Sequence, residues 1–170
     1  MGCHCSCGHN AAAALGKLKA ESVIDMAVKI ERAGQKFYSA LAIFEYNEKI
    51  KDLLVFLAEE ESRHVEAFES LKKAMKDDLA AEPVSEEYLQ YLECLAGTHM
   101  FLNMDIEDAD YKVDTARATL ELALKFERDS IAVFHEMKEV VGKAGKEALD
   151  KLIAQERGHI RTLAHHFDKV

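Results

Sequence analysis

The feature that most constrains the fold is a glutamate and a histidine three residues apart, placed among apolar residues at helical spacing. Glu61 and His64 share one face of a 3.6-residue helix with four apolar side chains: Leu54, Leu57, Phe68 and Leu71. Such a face belongs in a protein core. An ionised glutamate buried there costs several kcal/mol unless a partner compensates its charge, and a metal ion is the simplest partner.

The same arrangement occurs again near the end of the chain. Glu156 and His159 have the same spacing, and their helical face is also apolar: Leu149, Leu152 and Leu163. Of the eight histidines, only His64 and His159 have a glutamate three residues before them. One Glu-x-x-His arises easily in a helical chain, whereas two copies in matched surroundings indicate a duplicated unit.

Each Glu-x-x-His follows another amphipathic stretch with one glutamate on its apolar face. Glu31 precedes Glu61 by 30 residues, and Glu127 precedes Glu156 by 29. The surrounding sequences also match, since AVKIER around Glu31 aligns with ALKFER around Glu127. Each half of the chain therefore predicts a helical hairpin with one glutamate on its first helix and Glu-x-x-His on its second.

Two such hairpins predict an all-α protein, an antiparallel four-helix bundle. The composition agrees, because the 170 residues include one proline and no tryptophan, and they fit a single domain. The predicted segments are a Cys/His-rich and Ala-rich N-terminal segment at 1–19, a bundle at 20–170, hairpins at about 22–77 and 115–168, and a crossover at 78–114 with a short helix from Ser85 to about Ala96.

Capping and breaking residues predict the ends of the four long helices. The predicted positions are a first helix from Ser22 to about Tyr46, a turn at Asn47 and Glu48, a second helix to about Lys76, a third from Asp114 or Thr115 to about Val141, and a fourth from after Gly145 to about Phe167. Gly142 is expected to end the third helix.

The net charge and the N-terminal segment restrict the partners. A charge of −9 argues against nucleic acid and anionic membrane surfaces, and no apolar run approaches the roughly 20 residues of a membrane span. The cysteines at positions 3, 5 and 7, with two nearby histidines, suit a soft ion such as Zn²⁺ or Cu(I); a thiol-rich tail is the alternative. No secretory signal or paired cysteine framework is recognisable, which predicts a cytoplasmic protein.

The predicted core layer holds four glutamates and two imidazoles, and charge indicates what fills it. Four ionised glutamates carry −4, which two divalent ions neutralise. Two glutamates can bridge the ions, while the other two and the histidines complete the coordination. Mixed oxygen and nitrogen ligands suit iron or manganese, with zinc as a further substitute. Satisfied polar core residues without metal are the alternative.

This constellation resembles the ferritin-like di-iron carboxylate superfamily, and within it the rubrerythrin-like branch that lacks a rubredoxin domain. The resemblance covers about Ser22 to Phe167 and implies a ferritin-like bundle with two iron ions. The implied metal ligands are Glu31, Glu61, His64, Glu127, Glu156 and His159. Tyr38 matches the tyrosine that the family places beside the site, which makes it a candidate catalytic residue; a plain core aromatic is the other interpretation.

Two departures from the family pattern bear on the activity. Ser130 stands where rubrerythrins carry an extra glutamate linked to peroxide chemistry, and Gly34 is its counterpart in the first repeat. Two small residues there predict a pocket open to a substrate. The four-cysteine iron site of rubredoxin is also missing, since Cys3, Cys5 and Cys7 have the wrong spacing, so electrons would come from a separate protein.

The resemblance predicts an oxidoreductase that reduces peroxide or dioxygen. A ferroxidase or iron buffer is a second hypothesis, and a metal- or redox-sensing interaction module is a third. A homodimer is expected, with several apolar residues as its contact or as part of the bundle's own side: Tyr88, Tyr91, Leu95, Met100, Phe101 and Leu102. His135, His165 and His166 are predicted to lie on the surface, because none has a carboxylate at ligand spacing.

Overall fold

The computed structural model describes residues 20–74, 85–99, 115–167 and 169–170. Within these ranges the chain forms α1 (Ala20–Phe44), α2 (Glu48–Ala74), α3 (Glu86–Thr98), α4 (Ala116–Met137), a 3-10 turn (Lys138–Val140) and α5 (Lys143–Phe167). The same ranges contain no β-strand, which confirms the all-α prediction. None of the described helices is long and apolar enough to cross a membrane. The N-terminal cysteines lie outside the described residues.

The first hairpin consists of α1 and α2, which pack mainly against each other. Its turn is short because Asn47 caps α2, with its Oδ1 accepting from the backbone N–H of Lys49 at 3.1 Å. The predicted turn at Asn47 is confirmed, although Glu48 already belongs to α2. The helix begins at Ala20, two residues before the predicted start near Ser22, so Ser22 lies inside α1 and does not cap it. The first helix also ends at Phe44, before Tyr46.

The second hairpin consists of α4 and α5. Thr115 caps α4, as predicted, because its side chain accepts from the backbone N–H of Ala118 at 3.1 Å. The end of α4 tightens into the 3-10 turn after Met137, and α5 begins at Lys143 rather than after Gly145. Gly145 lies inside the first turn of α5. A Cβ at this position would stand 2.8 Å from the Cβ of Val141, which is too close for any residue with a side chain. Close packing against Val141 therefore accounts for this glycine.

The short helix α3 packs on the outer side of α4 and runs in the opposite direction. Tyr88, near the start of α3, donates to the Glu136 carboxylate at 2.6 Å, near the end of α4. His99, at the C-terminal end of α3, contacts the middle of α4. Tyr88 and Leu95 pack against the core, whereas Tyr91 is exposed. Packing within the chain thus accounts for Tyr88 and Leu95, and positions 100–102 lie outside the described residues.

The core is apolar along most of its length and polar in one layer. Its largest fully buried side chains include Tyr38, Phe37, Phe126 and Phe134. Six buried ionisable residues share the polar layer: Glu31, Glu61, His64, Glu127, Glu156 and His159. Since α1, α2, α4 and α5 all contribute to it, this layer is the place where the two hairpins meet.

Candidate metal centre

The six predicted ligands converge from the four long helices. Each helix presents its glutamate on the apolar stripe that turns it inwards, and the helices with Glu-x-x-His add an imidazole one turn later. All six residues are at most 5% exposed. The fold therefore brings together every residue that the duplicated pattern singled out.

The ligand atoms form two overlapping groups of four, and within each group these atoms lie within 4.8 Å of one another. The two groups share Glu61 and Glu156. Glu31 and His64 complete the first group. Glu127 and His159 complete the second. The shared carboxylates are thus placed to bridge two cations, with one glutamate and one histidine left for each cation.

Both imidazoles direct Nδ1 at the carboxylates. The Nδ1 of His64 lies 3.1 Å from Oε2 of Glu31 and 3.1 Å from Oε1 of Glu156. The Nδ1 of His159 lies 2.8 Å from Oε2 of Glu156 and 3.5 Å from Oε1 of Glu127. The rings stack with their centroids 5.6 Å apart. This near-symmetry follows from the sequence repeat.

Burial and mutual repulsion strongly perturb the acid–base behaviour of the carboxylates. Burial raises the pKa of Glu31 and of Glu61 well above the usual carboxyl range, and neighbouring glutamates add to the effect. Burial likewise raises the pKa of Glu127 to about 8. Glu156 differs, because hydrogen bonds from His159 and His64 outweigh its burial and hold its pKa below the ordinary value.

The pKa values of His64 and His159 are raised, whereas burial alone lowers the pKa of an imidazole. Burial lowers the pKa of His64, but hydrogen bonds to Glu156 and Glu61 outweigh it and raise the pKa to about 9. Burial also opposes the charge on His159, yet hydrogen bonds to Glu127 and Glu156 raise its pKa to about 10. Without a cation, the cluster therefore retains protons at neutral pH, and cation binding must displace them.

The donor set fits two divalent cations. Three inward-facing carboxylate oxygens are buried without a hydrogen-bond partner: Glu31 Oε1, Glu61 Oε1 and Glu127 Oε2. Buried polar atoms are normally satisfied, and a cation satisfies several at once. Four carboxylates and two imidazoles match the oxygen and nitrogen coordination of a di-iron site in both charge and ligand type.

Tyr38 lies directly beside this cluster. Its hydroxyl donates to Oε1 of Glu127 over 2.5 Å, and the side chain is fully buried. Burial and the nearby charge of Glu127 raise the pKa of Tyr38 well above its ordinary value, so the phenol keeps its proton. Tyr38 is thus adjacent to Glu127, one of the six predicted metal ligands. The catalytic role of Tyr38 stays a prediction.

The space over Gly34 is closed, contrary to the expectation of an open pocket there. A Cβ at Gly34 would lie 2.8 Å from Cζ of Phe126 and 3.2 Å from Cδ of Glu61. The Phe126 ring therefore fills the space beside a bridging carboxylate. The Ser130 hydroxyl is buried as well, 3.0 Å from Nε2 of His99, and the His99 ring meets Phe126 edge-on at 5.1 Å. The space left by the small residues Gly34 and Ser130 is thus occupied by the side chains of Phe126 and His99.

Sequence reasoning missed Phe126, His99 and Glu60. Phe126 closes one side of the cluster, and His99 supports it from α3. Glu60 joins His64 and His159 in a third group of potential ligands on the outer side of the imidazoles. Its spacing of four residues from His64 was a readable signal. The position of His99 had none, because it depends on where the crossover packs. Of the three histidines predicted to lie on the surface, His135 and His165 are exposed, as predicted, whereas His166 is half-buried.

The fold and the site together define the class. A helical bundle whose core layer holds four glutamates and two Glu-x-x-His histidines has the architecture of the ferritin-like di-iron carboxylate proteins. The sequence model of the Rubrerythrin family matches residues 22–167. The chain belongs to the rubrerythrin family.

Solved structures agree with the fold. A Thermotoga maritima protein described as a ferritin-like diiron-carboxylate protein superposes with a TM-score of 0.60 at 24% identity, over 89% of this chain and 95% of that chain. A DUF305 fragment from Deinococcus radiodurans superposes with a TM-score of 0.59 at 12% identity, over 91% of this chain and 98% of that chain. At these identities the similarity concerns the fold alone. No curated protein matches the sequence significantly.

Proposed function

We propose that this protein is a cytoplasmic di-iron oxidoreductase that reduces hydrogen peroxide or dioxygen with electrons from a separate donor protein. The observation that carries the proposal is the pair of overlapping four-ligand groups with Glu61 and Glu156 in common. When bound, a pair of ferrous ions supplies two electrons, which with two protons convert one peroxide into two waters or one dioxygen into one peroxide. Manganese and zinc suit the same ligand types, but zinc has no redox chemistry.

The surrounding side chains hold the ligands and exclude water. Tyr38 donates to Glu127 and fixes the orientation of that carboxylate. Phe126 covers the side of the cluster next to Glu61. Ser130 supplies a hydroxyl tied to His99 in place of a carboxylate. Peroxide reduction at this centre would therefore have to proceed without a seventh glutamate.

The electron donor is proposed to be external because a rubredoxin-type iron site needs four cysteines at a spacing that Cys3, Cys5 and Cys7 do not have, and the remaining cysteine, Cys94, is far from them in the sequence. A homodimer is also proposed. Apolar side chains exposed near the tip of the first hairpin support it: Ile43, Phe44, Tyr46, Val55 and Phe56. Light scattering on the wild type and on Phe56→Glu tests the dimer, which the substitution should weaken.

The activity is tested by loading the protein anaerobically with Fe²⁺ and mixing it in stopped flow with peroxide or with dioxygen. We expect fast oxidation of about two irons per chain in the wild type. Glu61→Ala, which removes a bridging carboxylate, should abolish this phase. Glu66→Ala is the matched control, because it removes an exposed glutamate from the same helix.

The result also separates the alternatives. Sustained turnover with an external reductant supports the oxidoreductase. Oxidation of many irons per chain with retention of ferric product indicates a ferroxidase or iron store instead. Failure to bind two irons, or oxidation no faster than that of free Fe²⁺, refutes both and leaves the sensing module.

A further inference from the structure

A third group of ligand atoms lies next to the six-ligand centre. One oxygen of Glu60 and one ring nitrogen each of His64 and His159 lie within 4.8 Å of one another. Glu60 is not one of the six predicted ligands. It immediately precedes the bridging Glu61 and stands four residues before His64, so α2 places it one turn from that imidazole. The two histidines therefore face carboxylates on two sides. The inner set is the four glutamates of the centre, and the outer set is Glu60 alone.

Exposure increases from the inner set to the outer one. The carboxylates of the centre are at most 1% exposed, whereas the side chains of His64, His159 and Glu60 are 4%, 7% and 17% exposed. Phe126 closes the side next to Gly34. Of the carboxylates in the three ligand groups, that of Glu60 is thus the most accessible to solvent.

The Nε2 atom of His64 is available to bind a cation together with Glu60. Its Nδ1 contacts Glu31 and Glu156, while its Nε2 is buried without a hydrogen-bond partner. An imidazole ring carries two nitrogens, and each can donate a proton or bind a cation according to tautomer. A buried, unpartnered ring nitrogen is costly, and a cation beside Glu60 would satisfy it.

Arg63 makes Glu60 available without leaving an unpaired charge. The Arg63 guanidinium forms an ion pair with Glu60 and a second one with Glu59 at 3.4 Å. Arg63 is half exposed and can stay with Glu59 when Glu60 turns to another partner. In the absence of a cation, Arg63 neutralises Glu60. A divalent cation bound beside Glu60 would take the place of Arg63.

We propose that Glu60, His64 and His159 form a transient binding site for a divalent cation on its way into the six-ligand centre. The ligand is a cation that accepts one carboxylate and two imidazoles, such as Fe²⁺. This inference rests on the proposed function, because it assumes that the inner ligands take up metal. Glu60 acts on the rate of loading and is not a ligand of the finished centre.

The test measures the rate of loading with Co²⁺ alone, whose absorbance bands report ligand binding without oxidation. Glu60→Gln and Glu59→Gln are compared with the wild type by stopped-flow absorbance. Both variants remove one carboxylate charge from neighbouring positions that pair with Arg63, but only Glu60 adjoins the imidazoles. Loss of a unit charge about 5 Å from a dication in water-like surroundings should slow loading about tenfold in Glu60→Gln. Glu59→Gln should change the rate by less than about twofold.

The final uptake of two Co²⁺ per chain should be unchanged in both variants, and Glu60→Asp, which keeps the charge, should recover most of the rate. Arg63→Gln should speed loading, since it removes the competing cation. Equal rates in Glu60→Gln and Glu59→Gln, or loss of one Co²⁺ from the final uptake in Glu60→Gln, would overturn the inference. Failure of the wild type to take up two Co²⁺ would refute the proposed function instead, so the two failures are distinguishable.

Discussion

The substitution Glu127→Gln should have opposite effects on the metal-free and the metal-loaded protein. Glu127 is fully buried, and burial raises its pKa from 4.5 to about 8 in the folded, metal-free protein. Glutamine has the same shape and no charge, and its carbonyl oxygen can still accept the hydrogen bond from Tyr38. In the metal-free protein, the substitution therefore removes the free-energy cost of keeping this buried carboxyl protonated or ionised. In the metal-loaded protein, it removes one candidate ligand from the group formed with Glu61, Glu156 and His159.

The magnitude follows from the pKa of Glu127. Since the folded pKa lies above the unfolded value, the contribution of this group to stability is complete below pH 4.5 and is lost as the pH rises through about 8. At pH 7 the unfolded carboxyl is ionised while the folded one is still mostly protonated. The resulting loss is about 3 kcal/mol at pH 7 and less than about 1 kcal/mol at pH 5. The glutamine variant does not titrate and avoids this loss.

Urea unfolding of EDTA-treated protein at pH 5 and pH 7 measures the effect. Metal-free Glu127→Gln should be more stable than the wild type by about 3 kcal/mol at pH 7, with a much smaller difference at pH 5. With saturating Co²⁺ at pH 7 the order should reverse, because the wild type binds the second cation better. Glu121→Gln is the control: it changes an exposed glutamate on the same helix and should shift stability by less than about 0.5 kcal/mol in every condition.

Two results would refute this reasoning. One is a metal-free Glu127→Gln that is no more stable than the wild type at pH 7, which would mean that the buried carboxylate is not a cost. The other is an equal difference at pH 5 and pH 7, which would place the effect in side-chain shape rather than in ionisation.

Three further predictions concern the surroundings of the centre. Gly34→Ala should destabilise the protein by about 1–3 kcal/mol in urea unfolding, because its Cβ would collide with Phe126, and Phe126→Leu should relieve part of that loss; unchanged stability would contradict the close contact. Tyr38→Phe should cost about 1–3 kcal/mol by leaving Glu127 without its donor while cation uptake stays at two per chain, and loss of a cation would instead make the phenol essential for binding. Co²⁺ at about 100 times its Kd should stabilise the fold by about 3 kcal/mol in thermal melts, reversibly with EDTA; no shift would argue against a cation site.

The convergence of the six candidate ligands in one layer could be predicted because each lies on a helical face that otherwise carries apolar residues. Glu31 and Glu127 stand where a helical stripe otherwise carries aliphatic residues, and the duplication places both at matched positions. A charged residue on a core face needs a partner, so the pattern alone indicates a common layer. The cap at Thr115 was readable for a similar reason, because its hydroxyl satisfies an orphan backbone donor.

Residues whose roles depend on close contact with another side chain could not be predicted. Gly34 suggested free space, but Phe126 reaches across from α4 to fill it. His99 lies at the end of a crossover helix whose position no periodicity specifies. Gly145 suggested a helix boundary, but it lies inside α5, where its small size allows close packing against Val141, just before the helix. A glycine in a helix can indicate that another group packs closely against it, but the sequence does not show which group.

The sharing of Glu61 and Glu156 between the two ligand groups has a consequence for how the chain holds together. Each hairpin supplies one of the two shared glutamates, so neither hairpin alone can form a complete group of four ligand atoms. Helix contacts are denser within the hairpins than between them. A bound cation pair would therefore add a direct link between the two hairpins. If the chain were cut within the crossover, the two fragments should reassociate more tightly in the presence of a divalent cation than in its absence.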